Sequence, residues 1–89
     1  MEIYFNAEAS RFEIEKNGLL SIAEFEMKPG VMLVTHMVVP PSLRGGGIAS
    51  TLAAGVVEHA RKEHLKIQPL CSFMQVYIER HPETRDLVA

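Results

Sequence analysis

The chain has 89 residues and a formal net charge of -2, and 47% of its residues are hydrophobic while 22% are charged. This composition is typical of one ordinary globular domain, which we place over residues 1–89. An eight-stranded α/β barrel needs about 250 residues, so the large enzyme folds are excluded. The balanced charge argues against nucleic acid as a partner. No apolar run reaches the ~20 residues of a spanning helix and no signal peptide is recognisable, so we expect a cytoplasmic protein without membrane contact.

The first half of the chain predicts antiparallel strands. Apolar and polar residues alternate over residues 2–5, 11–15 and 23–28, which is the pattern of half-buried strands. Asn17-Gly18 and Pro29-Gly30 are typical hairpin turns. Residues 31–39 are almost continuously apolar, which predicts a central strand covered on both faces.

The second half predicts two helices and one more strand. Apolar residues at helical spacing indicate an amphipathic helix that covers the sheet: Ala49, Leu52, Ala53, Val56 and Ala60. A short strand follows over residues 65–71, interrupted by Pro69. Ser72 and Gln75 form a capping box, which predicts a second helix from Ser72 to about His81. The order predicts an α+β fold with two helices on a mostly antiparallel sheet.

The segment between the predicted central strand and the first helix is the main candidate site. It reads Arg44-Gly45-Gly46-Gly47-Ile48-Ala49. A glycine turn that opens a helix exposes backbone N–H groups, and the helix dipole adds about half a unit of positive charge, so the turn favours phosphate. Arg44 adds a charge-assisted contact. The alternative is a flexible turn that binds nothing.

Two common phosphate motifs do not fit this turn. A P-loop requires Lys and then Ser or Thr where Ile48 and Ala49 stand. The G-x-G-x-x-G fingerprint requires glycine at the position of Ser50. The sequence therefore excludes both of these phosphate motifs at the turn.

The same segment resembles the Q/R-x-x-G-x-G/A signature of the GNAT superfamily of N-acetyltransferases. More closely, nearly the whole chain resembles the small, single-domain YjdJ-type family within that superfamily. The matching blocks are Thr35-His36, Val39-Pro40-Pro41, Leu43-Arg44-Gly45, Ile48-Ala49, Pro69-Leu70-Cys71-Ser72-Phe73 and Tyr77-Ile78-Glu79-Arg80-His81-Pro82-Glu83.

The resemblance implies a minimal GNAT-like fold that binds acetyl-CoA as co-substrate. The signature amides would hold the pyrophosphate of coenzyme A, and backbone groups of Val38 and Val39 would pair with the pantetheine arm like an added strand. The Ser50 hydroxyl could donate to phosphate, whereas Thr51 fits a solvated helix position. The predicted cofactor-binding residues are Val38, Val39, Arg44, Gly45, Gly46, Gly47, Ile48, Ala49 and Ser50.

Two residues are candidates for catalysis. Cys71 directly precedes the predicted second helix, whose positive end favours a thiolate, and in YjdJ-type relatives a cysteine stands here beside the thioester. His36 interrupts the apolar strand where the superfamily places a general base, so we consider it as a base toward Cys71 or toward the amine. The alternatives are a small buried hydrophobe for Cys71 and a core histidine for His36. No metal site is expected.

The remaining candidates have structural interpretations. Phe73, Met74 and Tyr77 are expected to pack in the core, although a tyrosine in this region of larger relatives protonates the departing thiolate. His59 and His64 are expected to face solvent, and His81 to end the second helix.

The acceptor amine is not identifiable from the sequence. Larger relatives carry two helices between the first strand and the strand that corresponds to Leu19 to Met27, and here only the Asn17-Gly18 turn stands in that region, so we expect an open acceptor side. A protein or large amine as acceptor, or a homodimer that completes the pocket, would fit. Acetyl transfer could be direct or pass through Cys71. A non-catalytic module that binds or senses acyl-CoA is the alternative function, and it would need neither Cys71 nor His36.

Overall fold

The computed structural model describes residues 1–89. Its five strands are β1 (Tyr4–Asn6), β2 (Arg11–Lys16), β3 (Leu19–Lys28), β4 (Val31–Val38) and β5 (Lys66–Pro69). Its two α-helices are α1 (Ile48–Lys62) and α2 (Ser72–Arg80), and short 3-10 turns cover Pro41–Leu43 and Pro82–Leu87. The last strand is shorter than predicted because it ends at Pro69, which cannot donate to a sheet ladder.

The sheet has the strand order β1-β2-β3-β4-β5. The first four strands form an antiparallel meander, and β5 runs parallel to β4. A parallel neighbour requires a crossover, which α1 provides. The predicted α+β fold with a mostly antiparallel sheet is therefore confirmed.

The core lies on one face of the sheet, beneath both helices. Apolar residues from the inner faces of four strands pack against α1 and α2 in a single buried cluster that includes Phe12, Ile14, Ala23, Phe25, Met32, Val34, Leu52, Val56, Ile67, Met74 and Ile78. The prediction that β4 is covered on both faces holds only for Met32 to Val34, since His36 and Val38 are exposed. We call the side of the sheet away from the helices the open face.

A bulge in β4 decides which of its residues face the core. Phe25 pairs with Val34 and Glu24 pairs with His36, so Thr35 is an extra residue in β4. One extra residue reverses the inward and outward alternation beyond it. Met37 therefore packs against the core cluster, while His36 turns to the open face.

Several local predictions need correction. The N-cap of α2 is Cys71, whose sulfur accepts a hydrogen bond from the Met74 amide at 3.4 Å, so Ser72 is the first helical residue and not the cap. His59 does not face solvent: its ring stacks on Phe5 with centroids 4.4 Å apart. The prediction for His64 is confirmed, since it is exposed just beyond α1, and His81 ends α2 as predicted.

Candidate active site

A cleft of about 590 Å³ opens between the end of β4, the glycine turn and the start of α2. Most of its lining is apolar, with one guanidinium and one hydroxyl at the rim. The lining residues are Met37, Val38, Val39, Leu43, Arg44, Gly45, Gly47, Ile48, Ala49, Ser50 and Phe73. Eight of the nine predicted cofactor-binding residues therefore lie at one cleft; Gly46 is in the same turn but outside the lining.

Left-handed backbone shapes the turn at the mouth of this cleft. Gly45 and Gly47 have φ angles of +86° and +84°, which L side chains rarely adopt. Gly47 is the N-cap of α1 and, having no side chain, leaves the amides of the first helical turn open. A Cβ at Gly45 or Gly47 would meet no atom within 4 Å, so space is free above the turn.

Successive backbone amides of the turn have no partner inside the protein. The first amide of α1 that donates is that of Thr51, to the Gly47 carbonyl at 3.0 Å. The amides of residues 45–50 donate to neither backbone nor side-chain acceptors. Such amides at the positive end of a helix form an anion site.

The hydroxyls and the guanidinium beside these amides differ in their availability. Ser50 is exposed at the cleft. Thr51 instead donates its hydroxyl hydrogen to the Gly47 carbonyl at 3.0 Å, so it has no proton left for a ligand. Arg44 is exposed, and its Nε donates to the Val39 carbonyl at 3.1 Å.

The two parallel strands part next to the cleft. β5 pairs with β4 only as far as Val34, whose carbonyl accepts from the amides of Leu70 and Cys71 at 2.9 Å and 3.1 Å. We call this point the fork. Beyond the fork β4 continues to Val38 with no partner on that side. This unpaired edge can accept an extended ligand.

Cys71 lies at the fork. Its amide binds the Val34 carbonyl, and its sulfur caps α2. The side chain is half-buried and packs against the core cluster, so it lies on the helix side of the sheet and does not line the cleft.

His36 lies on the other side of the sheet. Its side chain is 70% exposed, and its Nδ1 is 3.7 Å from a carboxylate oxygen of Glu24 on the open face. No hydrogen bond joins His36 to Cys71. His36 and Cys71 are therefore not in contact, because the bulge at Thr35 turns His36 away from the helices.

Phe73 is a cleft residue that sequence reasoning assigned to the core. It is 38% exposed and is the contribution of α2 to the cleft lining, so the packing prediction is wrong for Phe73. The prediction is confirmed for Met74, which is fully buried. The signal that separates them is the helical spacing: Met74 and Ile78 are four residues apart on the buried side of α2, and Phe73 lies off that side.

Tyr77 packs against the core cluster, and its ring stacks on His81 with centroids 3.9 Å apart. Burial, together with the negative charge of Glu83, raises the pKa of Tyr77 above its ordinary value of 10.0. A phenol with a raised pKa in the folded state stabilises the fold fully below pH 10.0. That contribution is lost as the pH rises through the folded-state value, because the unfolded chain ionises first.

We therefore expect the free energy of unfolding to fall less steeply above pH 10.0 in Tyr77→Phe than in the unmodified protein. Urea unfolding on both sides of that pH measures the difference. Tyr4→Phe removes the other tyrosine, which is exposed, and should keep the steeper dependence. An equal pH dependence of the free energy of unfolding in all three proteins would contradict the raised pKa of Tyr77.

Strand β4 leads into the glycine turn and α1, and beside it β4 and β5 part at the fork. This arrangement defines an α+β acyltransferase of GNAT type. A GCN5-like candidate N-acetyltransferase from Staphylococcus aureus, solved by NMR in solution, has the same fold with a TM-score of 0.77. The two chains are 28% identical, and the match covers 99% of this chain and 87% of that one.

Residues 11–87 match the family model of GCN5-related N-acetyl-transferases. The chain therefore belongs to this family and is an acyltransferase. Members of the family generally use acetyl-CoA as co-substrate and an amine as acceptor. Neither α-helix combines the length and the apolar character that crossing a bilayer requires.

Proposed function

We propose that the protein is an acetyl-CoA-dependent N-acetyltransferase of the YjdJ-type group. The observation that carries this proposal is the run of unpartnered amides at residues 45–50, placed at the mouth of an apolar cleft. The amides hold the pyrophosphate of coenzyme A, and Arg44 and Ser50 add a cation and a hydroxyl donor.

The pantetheine arm extends from this turn along the unpaired edge of β4. Backbone groups at the end of the strand, at Val38 and Val39, pair with its amides as a neighbouring strand would. Apolar side chains of the cleft, such as Leu43 and Ile48, cover the arm from the helix side. Followed in this direction, the thioester arrives at the fork, where Cys71 lies.

Transfer through Cys71 is the route that this placement favours. The Cys71 thiolate attacks the carbonyl carbon of the thioester, a new sulfur–carbon bond forms, and coenzyme A leaves as its thiolate and takes up a proton. A hydrogen bond from the Met74 amide and the positive end of α2 stabilise the attacking thiolate. The amine then displaces Cys71, which leaves as a thiolate.

The acceptor approaches from the open face in this account. His36 lies there beside Glu24, and it takes the proton from the ammonium form of the amine on the open face, before the neutral amine passes the fork and reaches Cys71. No helix covers this face, which agrees with a large amine or a protein as acceptor. A second copy of the chain that walls the site would also fit, and size measurements in solution decide between these arrangements.

Release of coenzyme A thiol tests the proposal. Acetyl-CoA is incubated with the protein and a panel of primary amines, including peptides with free amino groups. We expect thiol release beyond one equivalent only when an amine is present, with a matching acetylated product. Binding of coenzyme A without turnover for any amine would favour the non-catalytic acyl-CoA-binding alternative. Absence of coenzyme A binding would contradict both functions.

A further inference from the structure

The hydrogen bond between Arg44 and Val39 links the two ends of the cleft. Arg44 stands before the glycine turn, and Val39 directly follows β4. Both residues line the cleft, and the Arg44 Nε reaches the Val39 carbonyl at 3.1 Å. It is the one side-chain hydrogen bond in which both partners are residues of the cleft lining.

Both groups in this bond are ones that the proposed ligand requires. The Val39 carbonyl lies at the end of the unpaired edge of β4, where the pantetheine arm needs an acceptor. The guanidinium lies beside the unpartnered amides, where a pyrophosphate needs a cation. Without a ligand the Nε–H of Arg44 occupies one acceptor site of the Val39 carbonyl, and this bond fixes where the guanidinium lies relative to the turn.

We propose that Arg44 is an exchangeable latch that couples the two halves of the cofactor site. This inference rests on the coenzyme A site proposed above. With the cleft empty, Arg44 holds the Val39 carbonyl. A pyrophosphate on the turn attracts the guanidinium, because a charge-assisted contact with phosphate is stronger than one with a neutral carbonyl. The carbonyl is then free to accept from the pantetheine arm.

The latch makes Arg44 a positioning and specificity-determining residue. A ligand with pantetheine but no pyrophosphate must break the bond and offers no phosphate contact to the released guanidinium. Its apparent dissociation constant is the intrinsic constant divided by the fraction of molecules in which the Val39 carbonyl is free. The site therefore selects coenzyme A thioesters against other thiols that carry a pantetheine arm.

The variant Arg44→Met tests this inference, since methionine retains a long apolar stem without the guanidinium. Isothermal titration is carried out with pantetheine and with coenzyme A. Removing the competitor should tighten pantetheine binding by about 2-fold to 10-fold. Loss of the phosphate contact should weaken coenzyme A binding by about 10-fold. The opposite signs distinguish a latch from a residue that merely supports the turn.

The matched control is Arg80→Met, which removes an exposed arginine from the last turn of α2, outside the cleft lining. It should change neither affinity. Should Arg44→Met not fold, as judged by its melting curve, Arg44→Ala is measured in the same way.

Pantetheine affinity that is unchanged or weaker in the Arg44 variant overturns the latch, and so does the absence of pantetheine binding by both proteins. In either case, coenzyme A binding by the unmodified protein leaves the proposed function intact. If the unmodified protein does not bind coenzyme A, the proposed function fails and the latch fails with it.

Discussion

Gly47→Glu is expected to weaken coenzyme A binding by at least about 100-fold, which corresponds to the loss of two charge-assisted hydrogen bonds of about 1.5 kcal/mol each. Gly47 is the N-cap of α1 at φ +84°, and the space above it is open. A carboxylate placed there occupies the positive end of the helix and repels the pyrophosphate. Isothermal titration with coenzyme A measures the effect.

Two controls separate charge from backbone strain. Gly18→Glu introduces the same side chain at another left-handed glycine, at φ +74° in the turn between β2 and β3, with nothing within 4 Å of the added Cβ. It should leave the affinity unchanged. Gly47→Gln introduces the backbone strain without the charge, so its affinity for coenzyme A should fall between those of Gly47→Glu and Gly18→Glu. Equal affinity of Gly47→Glu and Gly18→Glu for coenzyme A would show that the glycine turn is not part of the binding site.

Cys71→Ser is expected to remain folded and to lose turnover by at least about 100-fold, because a hydroxyl without an adjacent base is a poor nucleophile. Serine is a good N-cap, so it replaces the cap of α2 that the Cys71 sulfur provides. The variant thus removes the thiol while retaining its structural role. Steady-state thiol release with an accepted amine gives the rate, and a thermal melt gives the stability.

His36→Gln separates the two halves of the reaction. His36 and Cys71 face opposite sides of the sheet, so acetyl-CoA alone should still add one acetyl group to the protein, visible in an intact-mass spectrum. Transfer from that intermediate to the amine should slow by about 100-fold, the usual contribution of a general base. Full turnover by Cys71→Ser, or an unmodified protein that never acquires the acetyl group, would exclude the relay and leave direct transfer.

The sequence was sufficient for the order of elements, because most of them have a clear period and β4 is a continuous apolar run. Alternation over 11–15 and 23–28 marks β2 and β3, and the spacing of Leu52 and Val56 marks the buried stripe of α1. The open amides of the glycine turn were also predictable, since they depend on local backbone geometry and not on distant contacts.

The relative placement of the two catalytic candidates was not predictable. An apolar run such as residues 31–39 has no alternation that would reveal an extra residue, so the bulge at Thr35 left no signal. That bulge turns His36 to the open face, whereas Cys71 packs on the helix side at the start of α2. The cap of α2 was missed for a related reason: Ser72 is the stronger capping residue by type, but the Cys71 backbone occupies the extended cap position.

The central claim is that the amides of residues 45–50 hold the pyrophosphate. Titration of the ¹⁵N-labelled protein with ADP, which carries the pyrophosphate but no pantetheine, tests it most directly. The account predicts that the largest shifts of amide resonances occur at residues 45–50 and that Val34 and Cys71 at the fork change little. Shifts absent from the turn, or centred on the open face around His36 and Glu24, would contradict it.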